Sequence, residues 1–156
     1  MNIRRAEEKD SEKVLELLSE VLEIHADIRP DLFISGTTKY SREELLKIFA
    51  NDESPVYVAV DEQDEVLGYC FCILENPAEC QNMIHRKTLY IDDLCVDENC
   101  RGQKVGENLF AYVKEEAKKM GCYNVTLHVW EGNDKARGFY DHMGMGIRKI
   151  QMEYIL

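Results

Sequence analysis

The sequence predicts an α+β fold in which a mixed, largely antiparallel twisted sheet is flanked by helices, with one bulged strand. Three patterns carry that prediction. Through the middle of the chain, at 55–60, 66–74 and 88–96, apolar residues run in short blocks or alternate, which is strand spacing. On either side, at 14–22 and 105–120, they recur three and four residues apart, which is helix spacing. Between the last of these strands and the second helix lies a short glycine-containing turn, Arg101-Gly102-Gln103-Lys104-Val105-Gly106.

Each element follows in order. Ile3 to Ala6 opens as a short strand, and Asp10 or Ser11 caps a helix with the stripe Val14, Leu15, Leu17, Leu18, Val21 and Leu22. Pro30 disfavours helix at Arg29, so this helix ends there. The connection from His25 to Phe33 mixes a histidine, charges and an aromatic; it reads either as one wall of a substrate mouth or as a plain surface connection. Ser41 and Glu44 have capping-box spacing and start a second helix, with Leu45, Leu46, Ile48 and Phe49 on its apolar side. Pro55 to Val60 and Val66 to Leu74 pair as antiparallel strands about the turn at 61–64.

The strand from Thr88 to Val96 is irregular. Leu89 and Ile91 are apolar at odd positions, whereas Leu94 and Val96 are apolar at even ones. The phase slips at Asp92-Asp93, and a one-residue slip is what a β-bulge produces. After the turn, Val105, Leu109, Val113, Ala117 and Met120 mark a buried helical stripe, and Gly121 stops it. Asn124 to Trp130 alternates as another strand, Asn133 to Met143 forms a short helix, and Gly146 to Leu156 is expected to return as a strand.

Composition excludes several classes. With 156 residues, 45% of them hydrophobic and 31% charged, the chain is expected to be one domain spanning 1–156. A formal charge of -11 argues against nucleic-acid binding, which needs clustered Lys and Arg, and favours a cationic partner such as an amine or basic peptide; acidity also serves solubility alone. The N-terminus lacks the apolar core of a signal peptide and no apolar run approaches a membrane span, so the expectation is a cytoplasmic protein without membrane partners. The six cysteines (Cys70, Cys72, Cys80, Cys95, Cys100 and Cys122) contain no Cys-x-x-Cys pair. They read as reduced thiols, mostly buried, with no metal site. Cys70 and Cys72 share one strand face.

The turn at 101–106 enters a helix N-terminus, where free amides and the helix dipole bind anions. Gly102 and Gly106 permit close approach of a phosphate, while Arg101 and Lys104 add positive charge. Neither a nucleoside-triphosphate P-loop nor a dinucleotide fingerprint is present. By itself the turn is an anion site or a tight connection.

A second cluster, Asn133-Asp134-Lys135-Ala136-Arg137-Gly138-Phe139-Tyr140, has the form Asn-x-x-Ala-x-x-Phe-Tyr. Together the two motifs resemble the GNAT superfamily of acetyl-CoA-dependent N-acetyltransferases, whose turn is Gln/Arg-x-x-Gly-x-Gly/Ala. One position departs from the pattern: Lys104 stands where the family has its first glycine. If that position needs positive φ, a lysine strains the turn.

The resemblance implies the GNAT-like fold, with the bulged strand splayed at the cofactor site, and, with it, roles for individual residues. Arg101, Gly102, Gln103, Lys104, Val105 and Gly106 would bind the pyrophosphate of acetyl-CoA, and the backbone of Leu94, Cys95 and Val96 would hold the pantetheine arm and polarise the thioester. Asn133 would contact the cofactor arm, and Tyr140 would protonate the leaving thiolate. The base that takes the amine proton is His128, Asp92 or Asp93. The implied reaction is direct acetyl transfer to a primary amine; a non-catalytic acyl-CoA sensor and an unrelated interaction domain are the alternatives. Many family members dimerise, so a homodimer is within the expectation.

Overall fold

A computed structural model describes residues 1–76 and 81–156; the expectation for Cys80 lies outside the described residues. Among these residues five strands form one sheet in the order β1-β2-β3-β4-β5, with β1 at Asn2–Arg5, β2 at Val56–Val60, β3 at Val66–Glu75, β4 at Thr88–Val96 and β5 at Asn124–Leu127. The first three pairings are antiparallel and β4–β5 is parallel. Among the described residues four α-helices flank the sheet: α1 at Ser11–Ile28, α2 at Arg42–Phe49, α3 at Val105–Lys119 and α4 at Asp134–His142.

The helices divide between the two faces according to their stripes. Val14, Leu17 and Leu18 of α1 and Leu45 and Phe49 of α2 pack with Val56, Val58, Tyr69, Phe71 and Cys95. Val105, Leu109, Phe110, Val113 and Ala117 of α3 pack on the opposite face with Tyr57, Ala59, Cys70, Cys72, Leu89 and Ile91. Alternate residues of β2 and β3 therefore serve opposite layers, and both faces of the central strands are buried. Cys70 and Cys72 share the α3 face as expected, with sulfurs 3.7 Å apart. Cys70, Cys72 and Cys95 are buried and Cys100 and Cys122 half-buried, all as free thiols.

Local signals hold at most boundaries. Arg29 closes α1, its amide donating to the His25 carbonyl. Glu44 N–H donates to Ser41 Oγ at 3.3 Å and Ser41 N–H donates to Glu44 Oε2 at 2.8 Å, which is the reciprocal capping box. Gly121 follows α3 with φ 73°. Asp10 does occupy the N-cap position of α1, but its carboxylate does not bond the helix. It accepts from Glu7 N–H at 2.7 Å and from the Arg4 guanidinium at 2.8 and 3.0 Å.

Two expectations are corrected. β5 ends at Leu127 rather than Trp130, because its ladder with β4 stops there. Residues 146–156 form no strand, because they make no ladder contact with the sheet in this chain.

Candidate active site

Up to Ile91, β4 is laddered on both sides; its last partner in β5 is Leu127. At the next residue the register with β3 shifts: Ile91 faces Cys72 and Asp93 faces Phe71, leaving Asp92 as the extra residue. The bulge expected at Asp92-Asp93 is therefore present, at the point where β4 and β5 part.

The bulge changes which way the acids point. Leu89 and Ile91 before it, and Leu94 and Val96 after it, all pack on the α3 side. Neighbours in a regular strand point to opposite faces. The extra residue resets the alternation, so Asp92 and Asp93 both address the α1–α2 side. Lys39, in the connection between α1 and α2, donates to Asp92 Oδ2 at 2.6 Å. Tyr69 Oη, from β3, donates to Asp93 Oδ2 at 2.8 Å. Phe71 packs edge-on against Tyr69 and stacked against Tyr40, giving this carboxylate an apolar wall. Burial pushes the Asp93 carboxyl up to about 6; the Tyr69 hydroxyl, the Lys39 charge and the Leu94 amide restrain that rise.

On the other side of the parting strands stands Tyr140 of α4. Its ring packs on Phe139 and Phe110, with centroids 5.0 and 6.1 Å away. Burial drives its phenol pKa up, and the neighbouring Cys70 and Asp93 add to the rise. The chain thus holds a carboxyl that titrates near neutrality on one side of the opening and a phenol that keeps its proton on the other.

At the far end of β4 lies the turn that leads into α3. Asp97 fixes its start by accepting from the Asn99 amide at 2.9 Å and from Lys13 Nζ at 2.6 Å. Gly102 has φ 80°, and Lys104 lies in the left-handed region at φ 62°, ψ 19°. The position does require positive φ, and the lysine carries the associated strain. No side chain caps α3, so its first amides are available at the positive end of the dipole. A methyl group on Gly106 would sit 3.4 Å from Phe139 and from Val96, so this glycine lets α3 begin against α4 and β4.

The remaining expected residues are placed as follows. Leu94, Cys95 and Val96 ladder to β3 on one side and face the opening on the other. Asn133 caps α4, its Oδ1 accepting from the Ala136 amide at 3.2 Å. His128 lies exposed just past the end of β5; its Nδ1 and Tyr90 Oη share a hydrogen bond at 3.0 Å. It is tied to the strand face beside Asp92 rather than to Tyr140. Among the described residues, no group of three His, Cys, Asp or Glu side chains is placed to hold a metal ion.

A profile of the acetyltransferase (GNAT) family matches residues 18–145. The chain belongs to the GNAT family. Among curated relatives, this GNAT chain is 29% identical over 147 residues to the peptidyl-lysine N-acetyltransferase YjaB of Salmonella typhimurium, covering 94% of this chain and 84% of the relative. It is 26% identical over 139 residues to a putative ribosomal protein bS18-alanine N-acetyltransferase of Bacillus subtilis, covering 86% and 80%. The crystal structure of a mutant of the BH1408 protein from Bacillus halodurans superposes with a TM-score of 0.95 at 34% identity, covering 100% of this chain and 99% of that one. The GNAT assignment also makes it an acetyltransferase by kinship: the named relatives transfer acetyl groups to amines.

Several residues of the site were not legible in the sequence. Tyr69 and Lys39 have no motif of their own, and only the fold brings them to Asp93 and Asp92. Gly68 did carry a signal, as a glycine inside a strand. A Cβ there would lie 2.6 Å from the Cys95 carbonyl oxygen, so Gly68 sets how closely β3 approaches β4. In the His25–Phe33 connection, His25 packs on Phe33, and Phe33 meets Trp130 edge-on at 5.4 Å, past the end of β5.

Proposed function

We propose that residues 1–156 are one N-acetyltransferase domain that moves the acetyl group of acetyl-CoA directly to a primary amine, with Asp93 as the base and Tyr140 as the acid. The observation that carries this reading is the bulge at Asp92, which turns two carboxylates to one side where β4 leaves β5. The uncapped start of α3, flanked by Arg101 and Lys104, fits the pyrophosphate. The unladdered edge of Leu94, Cys95 and Val96 fits the extended pantetheine arm and offers amides to the thioester oxygen. Asn133 caps α4, and so helps to position Tyr140; its side-chain NH2 would contact the arm.

The acceptor arrives as an ammonium ion. Asp92 and Asp93 attract it, and Asp93 takes one proton, directly or through water. The free amine attacks the thioester carbonyl, the C–S bond breaks, and Tyr140 gives its proton to the sulfur. The nitrogen's second proton leaves as the amide forms and, through solvent, restores Tyr140. His128 stands outside this path. Its bond to Tyr90 makes it part of the acceptor wall instead. The acceptors that the relatives' names give, a peptidyl lysine and an alanine of ribosomal protein bS18, offer amines, and a cationic amine suits an acidic mouth.

The test follows CoA thiol release over a panel of amines that includes lysine peptides and protein N-termini. Turnover with at least one amine, lost in Asp93→Asn and Tyr140→Phe, is the expected result. A melting shift with acetyl-CoA but no thiol release across the panel would make the chain an acyl-CoA sensor. No shift at all would remove the cofactor reading.

A further inference from the structure

Lys39 already places a primary amine against the bulge. Its ammonium donates to Asp92 Oδ2 at 2.6 Å. The residue lies in the connection between α1 and α2, and its side chain stays 42% exposed, so the amine is held at the surface rather than sealed into the core. The next residue fixes where it stands. Tyr40 stacks on Phe71, and Phe71 packs on Tyr69, whose hydroxyl holds Asp93. Lys39 Nζ also lies 5.4 Å from the Tyr40 ring centre, within cation–π reach. An amine is thus anchored through its own backbone beside both carboxylates.

Other lysines with carboxylate partners are placed elsewhere. Lys9 pairs with Glu7 and Asp64, Lys13 with Glu16 and Asp97, and Lys118 and Lys119 pair along α3 with Glu115 and Glu116. Among the ion pairs of the described residues, only that of Lys39 involves a carboxylate of the bulge. Burial works against the Lys39 charge, but the bond to Asp92 and the nearby Asp93 outweigh it and raise the pKa. Spontaneous acetylation needs the free amine and is therefore disfavoured at Lys39. A modified Lys39 would report catalysis by the site, with the exposed Lys118 and Lys119 as internal references for uncatalysed chemistry.

On the acetyl-transfer reading above, we propose that Lys39 is itself an acceptor: the site moves the acetyl group of acetyl-CoA to Lys39 Nζ of the same chain, giving Nε-acetyl-lysine and free CoA. Asp93 takes one proton from the Lys39 ammonium, directly or through water. The free amine attacks the thioester carbonyl, the N–C bond forms, the C–S bond breaks, and Tyr140 gives its proton to the sulfur. The nitrogen's second proton leaves as the amide forms and, through solvent, restores Tyr140. Lys39 needs no encounter with the site, because its backbone holds it there; tethering replaces a bimolecular step with an internal one. Its four-carbon stem is flexible enough to swing from Asp92 toward the edge of Leu94 to Val96. Acetylation also removes the ammonium that occupies Asp92, so the modified chain presents that carboxylate unpaired to an external amine.

The full chain is mixed with acetyl-CoA without added amine, and peptide mass spectrometry follows each lysine over time at several protein concentrations. The expected result is an acetyl group on Lys39, formed at least about 10²-fold faster than on Lys118 and Lys119, with a rate constant independent of protein concentration. Asp93→Asn and Tyr140→Phe each slow it by about 10²-fold or more. Lys39→Arg abolishes the thiol release seen without an acceptor. If thiol release with an external amine proceeds while Lys39 stays unmodified, this proposal fails and the acetyltransferase reading stands. If neither an external amine nor Lys39 is acetylated, that reading fails and takes the proposal with it. Acetylation of Lys39 at the pace of Lys118 and Lys119, or unslowed in both site variants, is spontaneous chemistry and overturns the proposal. A rate constant that climbs with protein concentration overturns it equally, since transfer then runs between chains. If a variant fails to fold, the pace of Lys39 against Lys118 and Lys119 in the unsubstituted chain decides the matter alone.

Discussion

The Tyr69 hydroxyl donates to Asp93 Oδ2 at 2.8 Å, across the β3–β4 ladder and next to the bulge. This bond steadies a carboxyl whose burial pushes it up to about 6, and Tyr69 counters that rise. As a base, Asp93 works only when ionised. The rate should therefore fall with a slope of one as pH drops through about 6. Tyr69→Phe removes a lowering influence, so the acidic limb of the pH–rate profile moves upward. An unmoved limb would detach the profile from Asp93.

The same shift has a stability consequence of opposite sign to the usual carboxylate. The folded-state value lies above the unfolded value of about 3.9. The protein thus binds this proton more tightly when folded, and Asp93 favours folding at low pH. That contribution fades as pH rises through the interval from about 4 to about 6. Asp93→Asn should melt higher than the parent at pH 8, by about 2–4 °C for each kcal/mol relieved, while turnover falls by about 10²–10⁴. Thermal melts at pH 4 and 8 check the sign: the gain should shrink at the lower pH.

Tyr140→Phe should lower kcat by about 10²-fold or more and leave the melting shift with acetyl-CoA intact. His128→Gln should leave the pH–rate profile unaltered and change the KM for the amine more than kcat, because the histidine bonds Tyr90, on the side proposed here for the acceptor. A His128→Gln profile that loses its acidic limb would transfer the role of base from Asp93 to His128.

Lys104 sits at φ 62°, where glycine is at ease and lysine is not. Lys104→Gly should stabilise the fold by about 1 kcal/mol, whereas Lys104→Ala should not, since alanine keeps the strain. Both remove a positive charge from the turn and should raise the KM for acetyl-CoA, more so at low salt. Denaturant melts of the two variants separate backbone strain from charge.

Gly68→Ala places a methyl group 2.6 Å from the Cys95 carbonyl oxygen, a backbone atom in a laddered strand. Either β3 or β4 must shift at the strand that borders the opening. The variant should lose about 1–3 kcal/mol of stability and bind acetyl-CoA more weakly. Isothermal denaturation and the cofactor-induced melting shift measure the two effects separately.

Local rules were enough for what depends on neighbours in sequence. The Ser41–Glu44 capping box, the stop at Gly121 and the α3 stripe all rest on contacts within four residues, and all stand in the structure. The bulge was legible for a related reason: period-two alternation is strict, so one extra residue leaves a visible slip between Ile91 and Leu94. The strand expected at 146–156 misled for the converse reason. Alternation says that a segment suits a sheet edge, and says nothing of whose edge it is.

The sequence by itself therefore determined the α+β fold, the strand-to-helix turn at 101–106, and the doubled acids at the bulge. Only the tertiary structure decided that both acids share one side, that Tyr69 and Lys39 bind them, and that His128 instead turns to Tyr90. These contacts join residues 24 to 53 positions apart. Sheet pairing brings together Tyr69 with Asp93 and Tyr90 with His128, and the α1–α2 connection folding over the sheet brings Lys39 to Asp92. Chain separation hides such contacts from any local pattern, because what selects them is the burial of the two faces as a whole.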